Sequence, residues 1–368
     1  MLKLAKHLFP PSLHLHQTTM SESLAIERFL SLARETQAPV LDVRTPAEYA
    51  HAHLPNAHNL PIFTNEERVI VGTAYKQQGR ETAIKLGLDI VGVKMRSLVE
   101  TAERINADVA PSQNRTFFVH CWRGGMRSGS VAWLLDLVGY TVFTLRGGYK
   151  AYRRLALETL EKPRQVLILG GKTGSGKTAV LTALQAQGQQ ILDLEALAHH
   201  KGSAFGAIGE KPQPSQEDFE NRIGTALWGM DTSRPVWIED ESRMVGGCMI
   251  PATLWEQMRT APTLVVEVPL QERLEYLAQS YGTFPYEELQ QSILRIEKRL
   301  GGTVTKSALA ALEEGNLAEC AALTLRYYDS AYIKGLSRRN PQTLSVFHTS
   351  TTQPQEVAEQ LIQAALLR

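Results

Sequence analysis

Between Thr116 and Ser128 one cysteine, two arginines and two glycines follow directly on an apolar run: Cys121 leads into Trp122, Arg123, Gly124, Gly125, Met126 and Arg127. The run Thr116-Phe117-Phe118-Val119-His120 is β-branched and aromatic, and Val131-Ala132-Trp133-Leu134-Leu135 beyond the loop is a helical pattern. Cys121 is therefore predicted on a strand-to-helix turn. There the loop N–H groups of Gly124, Gly125 and their neighbours converge with the positive end of the helix, and Arg123 and Arg127 add full charges. Such a setting lowers a thiol's pKa to give a nucleophilic thiolate. It also holds an anion, such as a phosphate or the terminal chalcogen of a persulfide.

Three readings of Cys121 are open on these residues. A buried structural cysteine is the default for an isolated thiol, but it needs neither the arginines nor the glycines. His120-Cys121 with Arg127 six positions on matches H-C-x5-R, the loop with which cysteine phosphatases wrap a phosphate. That chemistry also needs an acid for the leaving alkoxide, which the sequence does not identify. The third reading is a chalcogen transferase that carries out its transfer at the thiol.

A second chemical motif follows. Gln165-Val166-Leu167-Ile168-Leu169 reads as a strand, Ala179-Val180-Leu181-Thr182-Ala183-Leu184 as a helix, and Gly171 to Thr178 between them matches G-x-x-x-x-G-K-[ST]. Gly171, Gly174 and Gly176, with Ser175, let backbone N–H groups close around phosphate oxygens. Lys177 supplies a point charge, and Thr178 is placed to hold a magnesium ion. Ile191-Leu192-Asp193-Leu194-Glu195 is predicted as a second strand ending in acids, and Pro235–Arg243 as another. Glu239, Asp240 and Glu241 occupy the natural Walker B position, as candidates for ordering magnesium or acting as a base; capping of the next element is the plain alternative. A P-loop kinase would use this set with ATP and a small acceptor.

The last part of the chain reads as helical. Arg295, Lys298 and Arg299, then Arg326, Tyr327, Tyr328 and Lys334, interleave basic and aromatic side chains that can grip RNA phosphates and stack on splayed bases. A solvated face with buried tyrosines fits them equally. A non-catalytic RNA-binding module would need this surface and neither phosphate loop.

These motifs need two α/β domains to position them. A chain of 368 residues with 43% hydrophobic content supplies two cores, and Thr263–Pro269 adds a further buried strand to an alternation that implies a parallel sheet. The predicted organisation is a disordered extension over 1–19, one domain over 20–157, a charged boundary from Glu158 to Arg164, and a second domain over 165–368. Ser23 is placed as the cap of a first helix carrying Leu24, Ile26, Phe29 and Leu30, with Met20 as the natural start. The formal net charge of +1 restricts any RNA contact to a local patch. The cysteines, Cys121, Cys248 and Cys320, are three and far apart, which argues against disulfides and paired zinc ligands. A reducing cytoplasm fits, no run is long enough for a membrane span, and Cys248 and Cys320 are assigned to packing. The histidines at 14, 16, 51, 53 and 58 match no zinc spacing, so no resident metal is predicted from them.

Several stretches resemble a known family. Asp42-Val43-Arg44-Thr45-Pro46-Ala47-Glu48-Tyr49, with His53-Leu54-Pro55-Asn56-Ala57-His58-Asn59-Leu60-Pro61, looks like the N-terminal signature of rhodanese domains, and Arg146-Gly147-Gly148-Tyr149-Lys150-Ala151-Tyr152 is similar to their C-terminal one. Ala52 stands where that family usually has glycine. Asp42, Arg44 and Glu48 are assigned to ion pairs, and an insertion from Asn65 to Asn106 carries Lys76, Arg80, Lys85, Lys94 and Arg96 as a solvated basic face. A rhodanese-like domain followed by a P-loop NTPase-like parallel-sheet domain with a helical C-terminal region resembles the tRNA 2-selenouridine synthase family. The resemblance implies conversion of wobble 2-thiouridine to 2-selenouridine in the tRNAs for lysine, glutamate and glutamine. It further implies S-geranylation from geranyl diphosphate at the P-loop, then selenium transfer from selenophosphate, with a selenophosphate-supplying enzyme as a partner. Cys121 would attack selenophosphate or carry selenium as a selenosulfide, while Arg123 and Arg127 hold the donor. No tightly bound cofactor is implied.

Overall fold

The computed structural model describes residues 21–109, 115–349 and 353–366. The extension assigned to 1–19, with His14 and His16, lies outside the described residues. Two compact units divide between Leu155 and Ala156, within the helix Gly148–Glu161.

The first unit is built on a parallel five-stranded sheet in the order β1-β5-β4-β2-β3, from β1 (Glu22–Leu24), β2 (Val40–Asp42), β3 (Ala57–Asn59), β4 (Thr116–His120) and β5 (Thr141–Leu145). The central strand β4 is apolar because both its faces are covered: Phe117, Phe118 and Val119 are fully buried. Phe118 meets Phe29 edge-on at 5.1 Å and Phe143 stacked at 5.2 Å. Thr45 opens the helix Pro46–His51 with a capping box closed by Glu48. The start of the chain differs from expectation. Glu22–Leu24 pairs with Phe143–Leu145 as an edge strand, and Ala25, not Ser23, precedes the helix Ile26–Thr36. Pairing to β5 satisfies backbone groups that the cap would have left to one side chain.

The insertion forms helices Asn65–Gln77, Arg80–Gly92 and Met95–Val109. Leu98 and Ala102 of the last join Ile62 and Phe63 in the core. Its basic residues largely pair locally: Lys85 with Glu81 at 2.8 Å, Arg96 with Glu100 at 2.7 Å, and Lys94 with Glu67.

The second unit carries a parallel sheet in the order β12-β11-β6-β8-β7, from β6 (Val166–Gly171), β7 (Gln190–Leu192), β8 (Val236–Glu239), β11 (Thr263–Glu267) and β12 (Leu344–His348); β9 (Met244–Val245) and β10 (Cys248–Met249) form a small antiparallel pair. Phe219, Ile223, Ile238 and Met258 fill one core cluster, and Leu181, Leu184, Trp237 and Leu361 another. Helices Leu270–Tyr281, Tyr286–Arg295, Gly302–Glu313 and Leu317–Leu336 pack around a separate core containing Ile293, Leu312 and Leu325.

Two expectations are corrected here. The last part of the chain is not all helical, because Leu344–His348 pairs along its length with Thr263–Glu267 as an edge strand. The acids after β7 do not end a strand: Asp193 caps the short helix Leu194–Ala198 by accepting from Ala196 N at 2.8 Å, and Glu195 lies in its first turn. The strand order places the turn after β6 beside a reversal of connection, where ligands bind at the carboxyl ends of open parallel sheets.

Candidate functional sites

In the first unit β4 delivers Cys121 to the foot of the helix Met126–Leu137, and the thiol is 3% exposed. Its Sγ lies 3.3 Å from the Ser128 hydroxyl and accepts from Gly125 N–H at 3.4 Å. Burial pushes the thiol's pKa up. The Ser128 hydroxyl, then the N–H groups of Gly125, Arg123 and Ser128, outweigh that and hold it below its ordinary value. The sequence reading placed Cys121, Gly124 and Gly125 in this nest and passed over Ser128, although it stands at the end of the same motif.

The glycines of the C-terminal signature explain the tightness of the turn. Tyr149 N–H donates to Cys121 O at 2.8 Å, and Lys150 N–H to Trp122 O at 3.2 Å. A Cβ on Gly148 would lie 2.3 Å from Cys121 O and 2.5 Å from Gly124 N, and Gly148 has φ of 59°. Gly148→Ala is expected to displace the thiol loop and destabilise the unit by about 1–3 kcal/mol. Thermal unfolding and the alkylation rate of Cys121 measure both effects; an unchanged alkylation rate would show that Gly148 does not support the loop.

The arginines divide. The Arg123 side chain is exposed, with no hydrogen bond or ion pair to another described residue, so its guanidinium is free to meet an anion. Arg127 lies in a two-pronged pair with Glu48, at 2.7 and 3.2 Å, which also holds the Glu48 carboxyl below its usual range against the effect of burial. Its charge is therefore partly balanced before any anion arrives. Arg44 and Asp42 form a fully buried ion pair, and Arg44 also donates to Ala52 O at 2.7 Å. Ala52 sits in extended backbone at φ −168°, so the departure from glycine introduces no strain. His120 is buried 3.7 Å from Asp42, and burial lowers its pKa and keeps it neutral. The thiol's hydrogen bonds go to Ser128 and Gly125, not to His120.

In the second unit Gly174 and Gly176 adopt φ of 83° and 72°, as the P-loop pattern requires. Lys177 Nζ donates to Gly171 O at 3.1 Å, and Thr178 Oγ1 to Glu195 Oε2 at 3.2 Å. Glu195, Glu239 and Glu241 bring carboxylate oxygens within 4.8 Å of one another. Burial, then mutual repulsion, pushes Glu195 up to about 9 and Glu241 up to about 7, and burial raises Glu239 as well. Glu239 is 1% exposed and its Oε1 lacks a partner among the described residues, as does the buried Ser175 Oγ. Gly202, at φ 65°, seats a loop directly on the cluster: a Cβ there would be 2.7 Å from Glu241 Oε2 and 2.8 Å from Glu195 Oε1.

A hard divalent cation such as magnesium suits this oxygen set, and Thr178, Glu195, Glu239 and Glu241 are the residues that would hold it. Of the acids named from sequence, Glu239 and Glu241 meet there. Asp240 does not, because it pairs with the buried Arg339 instead. Glu195 was missed as a ligand; the Asp193–Glu195 acids after an apolar run were its signal. Without a cation, folding disfavours the charged forms of Glu241 and Glu195. Their contribution is neutral below the ordinary carboxylate range, and stability is lost as pH rises through that range toward about 7 and 9. Glu239→Gln is therefore expected to raise the cation-free Tm more at pH 8 than at pH 5, by roughly 2–4 °C for each kcal/mol recovered, and to reduce stabilisation by magnesium. Calorimetry at both pH values checks this, and equal shifts at both would overturn it.

Two residues with no sequence signal support the P-loop. Arg273, 3% exposed, donates to Thr173 O at 3.0 Å and pairs with Asp329 at 2.9 and 2.7 Å. Tyr332 accepts from Gly171 N–H at 2.7 Å. Of the basic-aromatic set, Arg295, Lys298, Arg326 and Lys334 are exposed, Arg299 joins its two stretches by donating to Tyr327 at 3.1 Å, and Tyr328 accepts from Ala204 N–H at 3.0 Å as a packing anchor.

Comparison with known proteins agrees with this architecture. Residues 26–155 match the rhodanese-like domain, and residues 164–365 match the tRNA 2-selenouridine synthase AAA domain. A tRNA 2-selenouridine synthase of Marinobacter nauticus is 36% identical over 342 residues, covering 83% of this chain and 90% of the relative. Those of Aeromonas salmonicida and Cronobacter sakazakii are 34% and 36% identical, covering 82% of this chain and 88% of each relative. With both domain models in sequence and full-length relatives at this identity, the chain belongs to the tRNA 2-selenouridine synthase family.

Proposed function

We propose that this enzyme converts wobble 2-thiouridine of the tRNAs for lysine, glutamate and glutamine to 2-selenouridine, in two steps served by its two phosphate-binding loops. The P-loop, Gly171 to Thr178, takes the diphosphate of geranyl diphosphate, and the tRNA sulfur attacks the geranyl C1 as diphosphate leaves. Magnesium held at Thr178 and the three glutamates would neutralise diphosphate charge. The S-geranyl group makes the sulfur at C2 a leaving group.

The second step belongs to Cys121. Its thiolate attacks the phosphorus of selenophosphate, so that an S–P bond forms and the P–Se bond breaks with its electron pair on selenium. Selenium bonds to C2, geranyl thiolate leaves, and water takes the phosphoryl group from sulfur as phosphate. No atom is oxidised or reduced on this route. Carrying selenium as a selenosulfide would instead need an oxidant, and attack at phosphorus needs none. Arg123 and the loop N–H groups hold the anionic donor, with Arg127 sharing its charge between donor and Glu48.

The supporting observation is the Cys121 thiol held between the Ser128 hydroxyl and the loop N–H groups with a lowered pKa. The test is nucleoside mass spectrometry of 2-thiouridine tRNA incubated with the protein, geranyl diphosphate and selenophosphate. Geranylated and selenated uridines support the reading; unchanged 2-thiouridine with active donors and folded protein sinks it.

A further inference from the structure

Trp122 follows the nucleophile directly and is a large apolar side chain left 36% exposed, so it is not a core filler. One side of its ring is supported. Tyr149 stacks on it with centroids 5.4 Å apart and planes 23° from parallel. Tyr149 is 1% exposed, and the Arg44 guanidinium lies 4.0 Å from its ring centroid. Arg44 is itself immobilised by Asp42 and by Ala52 O. The same guanidinium lies 5.9 Å from the Trp122 ring centroid, so both rings rest on one immobilised cation, and this buried base fixes the orientation of an exposed aromatic beside the thiol. Arg123, exposed next to it, adds the cation that an RNA phosphate would meet.

We propose that Trp122 is the stacking platform for the substrate base: the uracil-type ring leaves its loop in the tRNA and lies on the exposed indole, which presents C2 to the Cys121 site. This rests on the tRNA-modification reading above and names how the same site recognises its substrate. Sequence-specific RNA enzymes take bases from single-stranded loops and hold them on aromatic rings, and a protruding indole with a rigid backing loses little freedom on binding. It is a positioning residue that touches substrate, so its removal acts on tRNA affinity before it acts on the thiol.

The experiment compares Trp122→Leu, Trp122→Phe and wild type as full chains. Trp122→Leu keeps an apolar side chain without a π face, and is expected to raise the KM of selenation for S-geranylated 2-thiouridine tRNA about 10- to 100-fold with a smaller change in kcat. Trp122→Phe restores most of the affinity. Tryptophan fluorescence quenched on binding an anticodon stem-loop with S-geranyl-2-thiouridine should lose its Trp122 component in Trp122→Phe, and the alkylation rate of Cys121 should be the same in all three. A Trp122→Leu enzyme with wild-type KM, or quenching undiminished in Trp122→Phe, overturns the platform while leaving the reaction assignment standing. If wild type yields no selenated nucleoside but quenching at Trp122 persists with the stem-loop, the assignment fails and the platform survives as an RNA site.

Discussion

Cys121→Ser is expected to abolish selenium incorporation, lowering selenated product about 10³-fold or more, while geranylation of the same tRNA continues. The serine hydroxyl is not ionised near neutral pH, and the hydrogen bonds that lower the thiol's pKa cannot bring an alcohol into that range. The pH dependence follows from the same contacts. Because the thiolate is the reactive form, the rate rises with pH through the thiol's pKa and levels above it; a lowered pKa moves that rise to lower pH. Ser128→Ala removes the leading stabilising contact, so its profile shifts toward the ordinary thiol value, with the largest loss on the acid side and recovery at high pH. Alkylation of Cys121 followed against pH reads this directly. Burial raises the pKa of Cys248, and that of Cys320 to about 11, so neither competes in the neutral range. Selenated product persisting in Cys121→Ser would remove the thiolate from the mechanism, and a Ser128→Ala profile superimposed on wild type would remove the Ser128 hydroxyl as the cause of its lowered pKa.

Residues that work within a few positions of one another were legible in the sequence. Cys121, Gly124 and Gly125 carry their own context, and Gly171 to Thr178 sit between the strand and helix that the pattern demands. Other features depend on partners distant along the chain. Glu195 and Glu239 are brought together only by the adjacency of β7 and β8, and nothing local distinguishes Glu239 from Asp240, which Arg339 takes away from the cluster. Leu344–His348 is short, with exposed positions, so no strand periodicity exceeds its helical surroundings until β11 offers it an edge. Tyr328 illustrates the ambiguity of aromatic residues among bases: its hydroxyl holds Ala204 N–H, while Tyr327 one position earlier receives Arg299. Trp122 was visible in the motif, but only the stack on Tyr149 distinguishes a platform from packing.

Lys177→Ala should weaken diphosphate binding roughly 10- to 100-fold and suppress geranyl transfer at least as far, since a hydrogen-bonded charge at a phosphate site contributes about 1.5–3 kcal/mol. Lys177 rests on Gly171 O at 3.1 Å, so a short movement of its flexible chain would bring Nζ to a bound phosphate. Its charge also draws down the pKa values of Glu195, Glu239 and Glu241 against burial. Removal therefore has a second consequence: the carboxylates retain protons to higher pH, and magnesium binding should weaken most at neutral pH and recover as pH rises. Measuring geranyl diphosphate affinity at pH 7 and pH 9, with and without magnesium, separates the lost phosphate contact from the altered cluster. The two steps separate as well, because tRNA supplied already S-geranylated bypasses the P-loop and should be selenated by Lys177→Ala at the wild-type rate. Unchanged diphosphate affinity and geranyl transfer in Lys177→Ala would overturn the P-loop assignment, and ATP-dependent phosphate transfer lost in the same variant would put a kinase in its place.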